Sequence, residues 1–104
     1  MKYLVDIDGT ICTNTNGDYH AALPIQNRIE HFNNLYDQGH EIHYWTARGG
    51  STGKDWLVLT MQQLDDWGVK FTSAKTGKPS YDVWIDDKAI NVEAYFNETF
   101  SNRK

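Results

Sequence analysis

At 104 residues, with 39% hydrophobic residues, four tryptophans and six tyrosines, the chain has the length for one domain, spanning 1–104, and is too rich in large apolar side chains for disorder. The formal charge is −4 and no long basic run occurs, so duplex nucleic acid is a poor partner, because phosphate backbones demand clustered Lys and Arg. No apolar run approaches the roughly 20 residues that span a bilayer, nothing at the N-terminus reads as a signal peptide, and the single cysteine, Cys12, cannot close an internal disulfide, which points to a reducing cytoplasm.

Tyr3-Leu4-Val5 runs straight into Asp6-Ile7-Asp8-Gly9-Thr10. That order reads as a buried strand delivering two carboxylates to its C-terminal end, followed by a turn. Asp6 and Asp8 lie two apart, so an extended backbone points both side chains the same way. Two carboxylates that close repel unless a cation sits between them or one holds a proton. The chemistry this invites is a hard divalent cation, usually Mg2+, with one carboxylate left as a nucleophile.

The stretch 11–23 is polar, and its Asn16-Gly17 pair favours a tight turn with positive φ. A polar loop directly after such a strand is placed to cover a site. Tyr19 and His20 are its candidates for touching a substrate, and Cys12 reads as a small residue packed beneath it. Pro24 suits a first helical turn. Ile25, Ile29, Phe32 and Leu35 then recur at helical spacing, and Gly39 is the stop. Glu41–Thr46 reads as the next strand. Residues 47–53 form a loop whose glycines allow close backbone approach. A second helix is expected from Lys54 to Trp67, with Leu57, Met61 and Leu64 as its apolar stripe and Gly68 as its end. Val69–Thr72 is a short expected strand, Ser73–Ser80 a loop, and Tyr81–Ile85 a strand ending in Asp86-Asp87. A short helix over Val92–Phe96 follows, with Asn91 as N-cap, and the tail 97–104 is expected to fray. Trp45, Trp56, Trp67 and Trp84 sit at core-like positions. His40 and His43 are too few for a zinc site, which takes three or four ligands.

Strands alternating with helices argue for a parallel sheet with right-handed crossovers. Ligands of such sheets bind beyond the carboxyl ends of the strands. Asp6, Thr46 and Asp86 each stand at such an end.

Asp6-x-Asp8-Gly9-Thr10 resembles the first motif of the haloacid dehalogenase (HAD) superfamily of aspartate-nucleophile phosphatases. Thr46, closing an apolar strand in Trp45-Thr46-Ala47-Arg48, resembles the second motif. Lys78 or Lys75 resembles the third, with Lys78 favoured, and Asp86-Asp87 resembles the fourth, all in the family's order. The resemblance implies a three-layer α/β/α sandwich with a parallel, Rossmann-like sheet. In it, Tyr3–Asp6 is central and flanked by Tyr81–Ile85 and Ile42–Trp45. The loop 11–23 corresponds to a flap too short to be a cap domain. The implied activity is Mg2+-dependent hydrolysis of a small phosphomonoester, such as a sugar phosphate, through an aspartyl-phosphate. Asp6 would attack phosphorus, while Asp8 would protonate the leaving oxygen and then activate water. Thr46 and Lys78 would hold the phosphate. Arg48 is either a further grip on phosphate or leaving group, or a solvated surface arginine. Mg2+ would be held by Asp6, Asp86 and the backbone carbonyl of Asp8, with Asp87 a ligand or a support behind one. Two other readings remain: phosphoryl transfer to a second alcohol by the same residues, and a non-catalytic module that binds Mg2+ or phosphate and acts through a partner. An open, capless site and a large aromatic supply also lead to an expectation of self-association.

Overall fold

The computed structural model describes residues 1–49 and 55–101. The elements run β1 (Lys2–Val5), a single 3-10 turn (Tyr19–Ala21), α1 (Gln26–Asp37), β2 (Glu41–Trp45), α2 (Leu57–Asp66), β3 (Ser73–Lys75) and α3 (Val92–Ser101). The three strands form one parallel sheet in the order β1-β2-β3. Lys2 pairs with Glu41 and Val5 with Tyr44, and His43 pairs with Ser73 and Trp45 with Lys75. This is a small α/β fold.

Local chemistry sets the helix boundaries. Gly39, at φ 96°, stops α1, and Gly68, at φ 69°, stops α2, both in the left-handed region where a Cβ is unfavourable. The N–H of Leu57 donates to Asp55 Oδ1 at 2.9 Å at the start of α2. The N–H of Glu93 donates to Asn91 Oδ1 at 2.9 Å, the N-cap expected for α3.

The core joins Val5, Ile42 and Tyr44 of the sheet to Ile29 and Phe32 of α1, Leu64 of α2 and Phe96 of α3. Ile7, Ile11 and Cys12, from the loop that follows β1, are fully buried in the same cluster. Burying apolar side chains on both sides of Asp8 anchors the acidic loop to the core rather than leaving it to solvent. On α3, Tyr95 stacks on Phe32 with centroids 6.1 Å apart, and Phe96 meets the same ring edge-on at 5.7 Å. His31 shares a 2.7 Å hydrogen bond with the Tyr95 hydroxyl. The other sheet face carries Leu4, which is 65% exposed, with Lys2, Glu41 and Lys75 also exposed and His43 and Trp45 half-buried. Among the described residues, no helix is long and apolar enough to cross a membrane.

Several expected elements are displaced. β1 lies at an edge of the sheet and β2 at its centre, because Tyr81–Ile85 is irregular instead of pairing with β1. Strand propensity measures fit to a half-buried pleated surface, and this segment makes ring contacts instead. Trp84 meets Tyr81 at 5.0 Å and Trp45 at 6.3 Å, while Ile85 is 93% exposed. The third strand starts at Ser73, not Val69. The N–H of Val69 donates back to Leu64 O and that of Lys70 to Asn33 Oδ1, so neither is free for a ladder. α2 starts at Leu57, and the expected start at Lys54, like loop residues 50–54, lies outside the described residues. Its buried stripe is Thr60, Gln63 and Leu64, whereas Leu57 and Met61 are exposed. α3 continues through Ser101, past the expected fray at residue 97. None of the four tryptophans is fully buried.

Tyr44 is 1% exposed, and its hydroxyl has no hydrogen-bond partner among the described residues. Burial pushes its phenol up from the ordinary value. A buried, unpaired polar group costs about 1–3 kcal/mol. Tyr44→Phe is therefore expected to be neutral or stabilising, by up to that amount. A raised urea midpoint at an unchanged slope is the expected readout, and a loss beyond about 1 kcal/mol would show that the hydroxyl has a partner.

Candidate active site

The loop after β1 is wound tightly enough to present two carboxylates together. Ile7 O accepts the N–H groups of Thr10 and Ile11 at 3.1 and 3.0 Å, and the N–H of Gly9 donates to Cys12 O at 2.9 Å. Gly9 sits at φ 82°, where a side chain would strain the turn. From α1, Arg28 Nη1 donates to Gly9 O and Thr10 O at 3.4 and 3.2 Å. The same guanidinium reaches Glu93 of α3 at 3.3 Å and lies 4.7 Å from the Phe96 ring centroid. Arg28 thus ties the acidic loop to two helices.

Asp6 and Asp8 face one cleft of about 410 Å3, which Thr46, Arg48 and Lys78 also line. Asn14, Asn16, Gly17 and Tyr19 bring in the flap, and Tyr81 closes another side. The flap is stapled at its base, where Thr13 N–H donates to Leu23 O at 2.9 Å and Ile25 N–H to Ile11 O at 2.8 Å. Asn16 and Gly17 take the expected positive φ, at 53° and 98°. His20 stays exposed, edge-on to Trp56 at 5.6 Å.

Lys78 Nζ stands 3.6 Å from Asp6, and Thr10 Oγ1 donates to the same carboxylate at 3.4 Å. Burial still holds the Asp6 carboxyl above its ordinary range: the loss of water outweighs the lysine, and the neighbouring Asp8 adds to the rise. The end of β2 sets the lysine's place, since Thr46 O accepts the N–H of Lys78 at 3.1 Å. Lys75 belongs to β3 and lines the opposite sheet face with Leu4 and Trp45. The structure thus brings Lys78, rather than Lys75, to Asp6.

Arg48 lines the cleft but is not solvated, for its side chain is 0% exposed. Nε and Nη2 each donate to Asp8 at 2.9 Å, a bidentate pair. Nη1 donates to Thr60 Oγ1 at 3.2 Å and to Gln63 Oε1 at 2.6 Å. Nη2 also reaches Cys12 Sγ at 3.9 Å, and the Tyr19 ring covers the guanidinium at 4.8 Å. A guanidinium has five N–H groups, and these contacts use them all, so none is left for a phosphate oxygen. Thr46 Oγ1 makes a long 3.4 Å bond to Asp8 Oδ2 and accepts the Arg48 N–H at 3.2 Å. Cys12 is buried under the flap as expected, and burial pushes its thiol up to about 12.

Asp86 and Asp87 do not line this cleft. Both are exposed, and Asp86 Oδ1 accepts the N–H of Lys88 at 2.8 Å, a turn contact that holds its carboxyl below the usual range. No group of three His, Cys, Asp or Glu is gathered for a metal among the described residues. Asp86 and Asp87 are thus not gathered with Asp6 on this cleft, and the Asp8 side chain is taken by Arg48, which leaves the Asp8 backbone carbonyl as the ligand that the resemblance implies. A smaller share does fit. Mg2+ keeps several waters and is commonly bound by one or two carboxylates plus substrate phosphate, and Asp6 offers one carboxylate on the cleft.

Sequence reasoning missed Thr60, Gln63 and Arg28. The available signal was two uncharged polar residues, Thr60 and Gln63, on the face of α2 that ends in buried Leu64.

No family model and no curated protein matches the chain. Among solved structures it is similar to the crystal structure of an MCSG target from Vibrio cholerae, at 26% identity, covering 99% of this chain and 98% of that one, with a TM-score of 0.77. That likeness supports one α/β fold over the whole length.

Proposed function

We propose that this protein is a Mg2+-dependent phosphomonoester hydrolase of the HAD type, acting through an aspartyl-phosphate on a small phosphorylated metabolite. The observation that carries the reading is Asp6 on an open cleft, paired with Lys78 and two residues from an Asp8 held in a fixed orientation. In this mechanism a carboxylate oxygen of Asp6 bonds to phosphorus as the bond from phosphorus to the leaving oxygen breaks. Asp8 passes a proton to that oxygen. Water then attacks the phosphorus, Asp8 takes its proton, and the bond from phosphorus to Asp6 breaks. Lys78 balances negative charge building on the phosphoryl group. Thr46 is the residue that changes partner. A carboxylate offers about four acceptor positions, and on Asp8 they are met by Arg48 twice, Thr46 and Cys12. When the Thr46 hydroxyl turns to a phosphate oxygen, one Asp8 position opens, and a proton taken up there from solvent before the first step is the one that Asp8 passes to the leaving oxygen. Asp6 is the residue that would hold Mg2+, and the ion would supply further charge neutralisation there.

The same reading includes a third layer over the sheet face of Leu4, His43 and Trp45. Its support is that parallel sheets are ordinarily covered on both faces.

The test is hydrolysis of nitrophenyl phosphate by the whole chain, with Mg2+ and then in excess chelator, followed by a panel of phosphorylated metabolites. Turnover that collapses on chelation is the expected result. No hydrolysis of any substrate would overturn the reading, and full activity in chelator would remove Mg2+ from it. A rate that climbs with added alcohol would identify a phosphotransferase instead.

A further inference from the structure

Arg48 touches Asp8, but what holds Arg48 lies 12 and 15 residues further along, on α2. Gln63 is buried, and its two ends do different work. Oε1 accepts from Arg48 Nη1 at 2.6 Å, and Nε2 donates to the backbone carbonyl of Tyr19 at 2.7 Å. The Tyr19 ring then lies over the Arg48 guanidinium at 4.8 Å, closing a circuit from flap to α2 to Arg48 and back to the flap. The amide cannot be reversed, because a guanidinium only donates and a carbonyl only accepts. Displacing the flap withdraws a ring from Arg48 and an acceptor from Gln63 at once, and Arg48 supplies both charged contacts to Asp8.

We infer that Gln63 is a positioning residue, coupling the flap to the orientation of the Asp8 carboxylate through Arg48. A substrate that seats against Tyr19 therefore sets the acid at the same time. In its kinetic form the inference rests on the phosphohydrolase reading above.

The test compares wild type, Gln63→Leu and Gln63→Glu on a nitrophenyl phosphate and on a simple alkyl phosphate. Leucine removes both bonds. Glutamate sets an acceptor against the Tyr19 carbonyl and competes with Asp8 for Arg48. Misplacing a group by about 1 Å can cost about a hundredfold, so kcat on the alkyl phosphate is expected to fall about 10- to 100-fold, with KM little changed. Nitrophenolate leaves with little help from an acid, so its first step, read as the rate of a nitrophenol burst, is expected to fall by less than about threefold while the second step slows. A mere packing defect slows the first step of both substrates alike and leaves no burst, and that result overturns the inference, as does an unchanged alkyl rate. Hydrogen exchange gives a second decision without any substrate. Both variants are expected to speed exchange of the Arg48 Nε–H and of the amides of Tyr19–Ala21 together. Unchanged exchange at either place breaks the coupling. If wild type hydrolyses nothing, the enzymatic reading fails and the exchange result still decides the coupling. If the leucine variant does not fold, the glutamate variant carries both measurements.

Discussion

Asp6→Asn is expected to lower turnover of any phosphomonoester by roughly ten-thousandfold or more, as loss of a covalent nucleophile does elsewhere, while the protein stays folded. Asp8→Asn is expected to fail differently. Nitrophenolate can depart without an acid, so the first step survives and the second stalls. The variant should release a burst of nitrophenol and retain phosphate on Asp6 as an acid-stable, hydroxylamine-sensitive label. Near wild-type turnover in Asp6→Asn, or a label on another residue, would dispose of the mechanism. A thermal prediction accompanies the kinetic one. The folded-state pKa of Asp6 is raised by burial despite Lys78. Above that raised value the ionised carboxylate disfavours the folded state. Below the ordinary carboxyl range both states are protonated and the penalty is gone. Asp6→Asn should therefore melt higher than wild type at neutral pH, and the gap should close as pH falls through the carboxyl range. A gap that widens towards acid would mean that Asp6 stabilises the fold as an anion.

Arg48→Met is expected to cost about 3–5 kcal/mol, the usual result of removing one partner of a buried ion pair. Asp8, whose side chain is only 17% exposed, would lose two charge-assisted bonds, and Thr60 and Gln63 would lose their shared donor. In a domain of this size each kcal/mol moves the melting temperature by roughly 4–8 °C, so a fall of more than about 12 °C is expected. Adding Asp8→Asn removes the stranded charge and should restore part of the loss. A double-mutant cycle in which the two effects simply add would show that the pair is not coupled.

The acidic loop was legible because its determinants are local. Asp6 and Asp8 share a side by the two-residue period, with Ile7 buried between them, and Gly9 takes a conformation that glycine permits. The choice of Lys78 also followed from a short stretch, which the carbonyl of Thr46 then pins. Arg48 was not legible. Its burial depends on Asp8, 40 residues earlier, and on two polar residues of α2 that no apolar pattern marks. Leu57 and Met61 misled for the same reason: the face of α2 that packs inward is chosen by a buried guanidinium as well as by Leu64. Tyr81–Ile85 has strand composition, but whether such a run pairs is decided by the available edge and by the rings of Trp45 and Trp84, not by the run itself.

Arg28 has a consequence for the order in which the protein is made. It braces the carbonyls of Gly9 and Thr10, and it is itself clasped by Glu93 and Phe96, 65 and 68 positions later. A ribosome adds about 5–20 residues each second, so the acidic loop emerges several seconds before the helix that completes its brace. During that interval Phe32 has neither Tyr95 nor Phe96 against it. A nascent chain that stops short of Phe96 carries the whole acidic motif and lacks the ring that lies against its brace.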